Sequence, residues 1–229
     1  MTEFSEAGRR GKDVRSDCWV RIVPRSSGGV RLTVMSRVEV MYGRAIRKLI
    51  RDELAFFGVE HALVEVEDSG ALPFVLMARI EAAVKRLRPT ERRSYLPEMP
   101  EYARAPTHRE RLRRSRLYLP GNEPKFMINV GLHGPDGVIL DLEDSVAPGS
   151  KDEALILVRN ALRQVDFMGA ERMVRINPLP RGLDEIRELA SCNVHMFLIP
   201  KCESADTVRK VDSCLQEANN SHSMQADTG

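Results

Sequence analysis

No run of apolar side chains in the 229-residue sequence approaches the roughly 18 needed to cross a bilayer, so the sequence offers no candidate membrane-spanning helix. The opening stretch, MTEFSEAGRRGKDVRSD, lacks the apolar core of a secretion signal, and a cytoplasmic protein with no membrane contact is expected. Net charge is nearly absent. The 35 basic residues against 33 acidic ones leave +2, too weak a field to draw in nucleic acid or anionic lipid by charge alone. Cysteine is scarce: Cys18, Cys192, Cys202 and Cys214 stand far apart and form no CxxC pair, which suits reduced thiols rather than a metal knuckle or a disulfide framework.

What is present is enough apolar material, 42% of residues, for one large core or two small ones. From Ser16 to about Leu87 the pattern alternates in CWVRIV, takes helical spacing from Val38 to Phe57, alternates again in HALVEVED and returns to helical spacing in LPFVLMARIEAAVKRL. A small α+β domain over 13–88 is expected, after a disordered start at 1–12. Residues 89–113 are rich in proline and charge with no apolar period, and predict an extended linker. From Arg114 to Cys214 four short apolar runs, RLYLPG, GVILDLEDS, RMVRINP and HMFLIPKCES, alternate with amphipathic stretches, the pattern of an α/β protein with a parallel sheet. The polar stretch 215–229 is expected to be disordered.

In parallel β/α folds the reactive side chains gather at the C-terminal ends of the strands. Here those ends read Pro120-Gly121-Asn122, Asp141-Leu142-Glu143-Asp144, Arg175-Ile176-Asn177-Pro178 and Lys201-Cys202-Glu203-Ser204. A charge inside such a strand costs several kcal/mol, on the order of a lost buried ion pair, unless it is paired or hydrogen-bonded. Asp141, Glu143 and Asp144 have the chemistry to bind a divalent cation or to orient basic groups. Arg175 suits a bidentate grip on a carboxylate, and Lys201 would add a point charge. A closed layer of ion pairs without a ligand is the alternative; the repetition on four successive strand ends favours a site.

The same residues carry a resemblance. RSRLYLPGN from Arg114, VILDLEDSVAP with the following Lys151, MVRINP and IPKCES resemble, over about residues 109–214, the HpcH/HpaI aldolase and citrate lyase β-subunit family. That resemblance implies a TIM-type barrel, of which this sequence supplies the first four β/α units. It also implies cleavage or formation of carbon–carbon bonds in short acids or acyl thioesters, with Mg2+. It further implies Arg114, Arg175, Asn177 and Lys201 as substrate-binding groups, and Asp141, Glu143 and Asp144 as acidic groups beside the metal. The family's two metal ligands belong to later strands, so no metal ligand is assigned. An incomplete chain with little lyase activity and weak magnesium binding alone is expected, one that associates with lyase subunits or with itself.

SDCWVRI, VEVMYGRAIRKLIRDEL and VEDSGALPFVLMARIEAAV are similar to the citrate lyase γ subunit, an acyl carrier protein. In that family a serine just ahead of the SD pair carries a phosphoribosyl-dephospho-coenzyme A arm. Arg15 stands at that position, leaving Ser16 as the hydroxyl available for attachment. A non-catalytic carrier or scaffold is therefore the competing function. The arginine-rich run through Arg104, Arg109, Arg111, Arg113, Arg114 and Arg116 would suit nucleic acid, but it lacks interleaved aromatics and is expected to be a solvated face.

Overall fold

The computed structural model describes residues 4–226, with side chains to residue 220. The chain forms two compact units, Met1–Glu98 and Met99–Gly229.

In the first unit, β1 (Ser5–Gly8) and β2 (Cys18–Pro24) pair antiparallel, β3 (Val30–Ser36) leads through α1 (Glu39–Phe56) to β4 (Ala62–Asp68), and α2 (Pro73–Leu87) follows. The sheet order is β1-β2-β4-β3, with β3 parallel to β4 and β2 antiparallel to it. β4 alternates as a half-buried strand must, with Ala62, Val64 and Val66 inward and Glu65 exposed. Pro73 opens α2 at a position where its missing N–H costs nothing, and most of the helix that follows is buried against the sheet. Inside this core Arg79, 1% exposed, grips Asp17, 3% exposed, through Nε at 3.0 Å and Nη2 at 2.9 Å. Two strands, β1 and β3, were not expected. β1 replaces the expected disorder of residues 1–12 because it finds a partner at long range: Ser5 pairs with Ile22, Gly8 with Trp19, and the Ser5 hydroxyl donates to Ala83 O. Residues 1–3 lie outside the described residues.

In the second unit, β5 (Arg116–Pro120), the short α3 (Pro124–Met127), β6 (Gly137–Asp141), α4 (Lys151–Gln164), β7 (Glu171–Arg175), α5 (Arg181–Leu189), β8 (Met196–Leu198) and α6 (Ala205–Ala226) follow in order. All four strands are parallel and lie in sequence order. β6 is buried along its whole length, as expected for an inner strand covered on both faces. The register is level: Pro120 pairs with Asp141, Asp141 with Arg175, and Arg175 with Leu198.

Two expectations for the flanking segments are corrected. Residues 89–113 are not a free linker. Arg93 donates to Phe56 O within the first unit. In the second unit Arg113 clamps the fully buried Glu171, Arg111 donates to Asp136 O and Gly169 O, and Arg172 donates to Ala103 O and Ala105 O. The arginines that suggested a charged surface are partly spent on carbonyls and a buried carboxylate, something no local period reveals. The polar stretch from 215 is also ordered in part. α6 continues because Val211, Cys214 and Ala218 form a narrow stripe of small apolar side chains that is buried, and α6 packs against α5. Residues 227–229 lie outside the described residues.

Candidate functional site

Because the strands end level, the last residues of β6 and β7 meet side by side. Arg175 donates from Nε to Asp141 Oδ1 and from Nη2 to Asp141 Oδ2, both at 2.7 Å, the fork geometry that makes arginine–carboxylate pairs strong. Its Nη1 lies 3.0 Å from Glu143 Oε2 and 3.5 Å from Asp144 Oδ2. Lys201, beyond β8, donates to Glu143 Oε1 at 2.7 Å and lies 3.5 Å from Asp144 Oδ1. The five groups expected at a common mouth are therefore together: Asp141 and Glu143 buried, Arg175 half-buried, Asp144 and Lys201 exposed.

Local backbone geometry fixes each of them. Asp141 also accepts from the amides of Glu143 and Ser145, so the chain after β6 folds around its carboxylate. Gly121 packs its backbone against the end of β6: its amide donates to Asp141 O at 2.8 Å, and a Cβ there would lie 2.6 Å from the same oxygen. Lys201 takes the left-handed conformation, φ +48°, rare for a residue with a side chain. Its side chain reaches Glu143 from that position.

The electrostatics follow from the contacts. Burial pushes the Asp141 carboxyl up, but the Arg175 guanidinium, the Ser145 hydrogen bonds and the Glu143 amide outweigh it and hold the group down at about 2. Arg175 is raised above its ordinary range, first by Asp141 and then by Glu143 and Asp144. Glu143, Lys201 and Arg175 lower Asp144, and Lys201 is raised by Glu143 and Asp144. Three carboxylates face two cations, so each cation is held charged and an arriving anion must compete for Arg175. The exposed ring of Tyr118 lies 5.3 Å from the Arg175 guanidinium carbon, closing one side.

Two residues expected at the mouth are elsewhere in function or in place. Arg114 pairs with Asp136 at 2.9 Å. Both precede the strands that follow them, so this pair sits at the N-terminal end of the sheet, opposite the mouth. Asn177 is near the mouth but buried, and its side chain is committed: Nδ2 donates to Leu142 O and Glu185, and Oδ1 accepts from Lys151 Nζ at 2.6 Å. It ties β6 to β7. Sequence reading gave Lys151 no role of its own; its ammonium bridges Leu142 O and Glu143 O, both at 2.8 Å, and Asn177. A lysine opening a helix three positions after a loop proline, Pro148, carries little local signal. Tyr118 was missed because in an alternating strand an aromatic is ordinarily core.

In the first unit Ser16 is half-buried with φ +56°, its amide bonded to Ser69 O, and Arg15 beside it is exposed. Asp17 of the same SD pair is the buried partner of Arg79.

A parallel β/α unit with charged side chains pooled at level strand ends defines an α/β protein, a class whose ligands meet the C-terminal edge of the sheet. The chain belongs to the HpcH/HpaI aldolase/citrate lyase family, whose model matches residues 114–228, and it carries an acyl-carrier-like module ahead of that region. A model described as malonate decarboxylase delta subunit (MdcD) matches residues 9–87. Similar proteins include the citrate lyase subunit beta of Leuconostoc mesenteroides subsp. cremoris, 36% identical over 48% of this chain and 37% of that protein. The counterpart from Haemophilus influenzae is 37% identical over 47% and 38%. The citrate lyase acyl carrier protein 2 of Salmonella typhimurium is 48% identical over 31% of this chain and 73% of its own length. The chain thus spans less than two-fifths of the β subunits it matches.

Proposed function

We propose that the second unit is the substrate-carboxylate side of a citrate-lyase-like carbon–carbon lyase, built on the first four β/α units of a TIM-type barrel. The observation that carries this reading is Arg175, held charged by Asp141 and Glu143 at the level end of the parallel strands, with Lys201 beside it. The guanidinium meets the oxo-acid end of a citryl-type or other hydroxyacyl thioester through Nη1, in exchange for its contacts with Glu143 and Asp144, while Asp141 keeps the Nε–Nη2 fork. In retro-aldol cleavage the hydroxyl proton leaves, its oxygen becomes a carbonyl, and the broken C–C pair moves onto the thioester as an enolate that then takes a proton. Arg175 and Lys201 orient the acid and offset its charge while that enolate forms.

Magnesium does not fit the described residues as a primary ligand set. Among them no group of three or more acidic, histidine or cysteine side chains is placed to hold a metal, and the mouth carboxylates are engaged by Arg175 and Lys201. The first unit is read as a carrier or docking module of a lyase complex, with Ser16 offering the hydroxyl for a prosthetic arm. A purely non-catalytic carrier or scaffold is the alternative, and Arg15 at the attachment position, which cannot accept a phosphodiester, favours the scaffold form.

Titration of oxaloacetate into the full chain, followed by saturation-transfer NMR, tests the lyase reading: binding is expected, and Arg175→Ala should abolish it. Equal binding by that variant refutes the role of Arg175. Intact-mass analysis after exposure to a prosthetic-group transferase tests the carrier reading through an increment on Ser16.

A further inference from the structure

The segment that enters the second unit is gripped by its carbonyls. Arg172 Nη1 donates to Ala103 O at 2.6 Å and lies 3.4 Å from Tyr102 O, while Nη2 donates to Ala105 O. Asn193 Nδ2 donates to the same two carbonyls, Ala103 O at 2.9 Å and Ala105 O at 3.1 Å. His195 Nε2 lies 3.0 Å from Ala105 O. Arg172 is 4% exposed and forms no ion pair among the described residues, so the donors of a buried cation here meet only carbonyls and an imidazole.

Both ring nitrogens of His195 are committed. Nδ1 accepts the Arg172 amide at 3.1 Å, and the His195 amide donates in return to Arg172 O at 2.8 Å, so Nδ1 carries no proton. The single ring proton of the neutral form therefore sits on Nε2 and points at Ala105 O, a tautomer fixed by a backbone donor. Arg172 Nη2 aims its own proton at the same oxygen, 2.8 Å from Nε2. A second ring proton has no place while this geometry holds. At Nδ1 it would meet an N–H, and it would make a cation in contact with the buried guanidinium. Burial first, then Arg172 and more weakly Arg111, hold the imidazole below its ordinary range, against Ala105 O and Glu171. Glu171 gives little relief, because Arg113 and the Thr107 hydroxyl already occupy its carboxylate.

We propose that Arg172, Asn193 and His195 form a proton-operated clasp on residues 102–105, closed at neutral pH and released in acid. Once the segment lets go, the His195 ring turns to solvent and takes a proton at its ordinary value of about 6.5. The clasp is therefore fully stable above that value and weakens as pH falls below it, by up to about tenfold in the open-to-closed ratio per pH unit. Arg172 and Asn193 keep the same charge through this range, which leaves His195 as the member that titrates. Thr107 stays on Glu171 when the clasp opens, so the chain freed runs from the boundary at residue 98 to Thr107, on the order of 25 Å of extended backbone. Proton uptake thus sets the length of free chain that joins the two compact units.

Hydrogen exchange of the full chain, corrected for the intrinsic effect of pH and read at the buried Ala103 amide, which donates to Pro100 O at 3.0 Å, tests it. Protection there is expected to fall by about tenfold between about pH 7.5 and pH 5.5, while the amides of β6 keep theirs. His195→Asn retains an oxygen acceptor for the Arg172 amide but cannot take a proton, and its Ala103 protection should be flat over that range whatever its level at neutral pH. Imidazole 15N NMR of the unsubstituted chain gives a reading that needs no variant: His195 should hold its proton on Nε2 at neutral pH and titrate below about 6.5. A change in Ala103 protection of less than about twofold over that range, an equal fall in the His195→Asn protein, or a proton on Nδ1 at neutral pH overturns the proposal.

Discussion

Replacing Arg175 by alanine should reveal how far the mouth is held together by charge. Asp141 and Glu143 are 2% and 4% exposed, and the guanidinium supplies Asp141 with two hydrogen bonds at 2.7 Å and Glu143 with a contact at 3.0 Å. Removing one partner of a buried pair typically costs about 3–5 kcal/mol, because the carboxylates are left in a poor solvent. Two features lower that figure here. The Arg175 side chain is 23% exposed, so water can enter the space it leaves, and Asp141 keeps the Glu143 and Ser145 amides. A loss of about 3 kcal/mol at pH 7 follows, or roughly 10 °C in melting temperature for a unit of this size. The only tryptophan, Trp19, belongs to the first unit, so its fluorescence is blind to this change. Urea unfolding followed by far-UV circular dichroism, together with hydrogen exchange at the Glu143 and Ser145 amides, reads the second unit.

The pH dependence gives an independent check. In the intact protein Asp141 titrates at about 2, below an unfolded value of about 3.9, so its stabilising contribution is fully present above pH 4 and is lost as pH falls toward 2. Arg175→Ala lets that carboxyl rise. The difference in stability between the two proteins should therefore be largest at neutral pH and shrink between about pH 4 and pH 2. A loss under about 0.5 kcal/mol at pH 7, or one independent of pH in that window, would refute the argument that Asp141 and Arg175 depend on one another.

Asp17→Asn withdraws the carboxylate from the buried Arg79 and should destabilise the first unit by about 3–5 kcal/mol, seen as an earlier urea midpoint in Trp19 emission. Gly121→Ala drives a methyl to within 2.6 Å of Asp141 O; a loss of about 1–3 kcal/mol and faster exchange of the residue-121 amide are expected. Lys151→Met takes the ammonium from Glu143 O and Asn177 Oδ1 and leaves Leu142 O with Asn177 Nδ2 alone; it should cost about 2 kcal/mol by thermal unfolding, whereas Lys151→Arg should restore part of it.

Much of the candidate site's clustering was legible before any coordinates. Asp141, Glu143, Asp144, Arg175 and Lys201 each follow an apolar run, and a parallel β/α reading places such residues at one edge of a sheet. Charged groups at strand ends are an unusual local choice, which is why they stood out. Arg114 and Asn177 show where that reasoning fails. Arg114 also adjoins a strand motif, but on its entering side, and it pairs with Asp136 away from the mouth. Asn177 follows Arg175 by two residues, yet its amide turns inward to Glu185 and Lys151. Which side of a strand end a polar group faces depends on partners eight or more residues away.

The sequence by itself determined the alternation that makes the strands, the helical stripes between them, and the family to which the chain belongs, because those signals are periodic or contiguous and act over a few residues. The tertiary structure decided the rest. It set the level register that puts Asp141 beside Arg175, the pairing of Ser5–Gly8 with β2, and the docking of residues 99–113 through Arg111, Arg113 and Arg172. Each of these is a contact between groups far apart along the chain, and its energy comes from burial and pairing that exist only once the sheet has assembled.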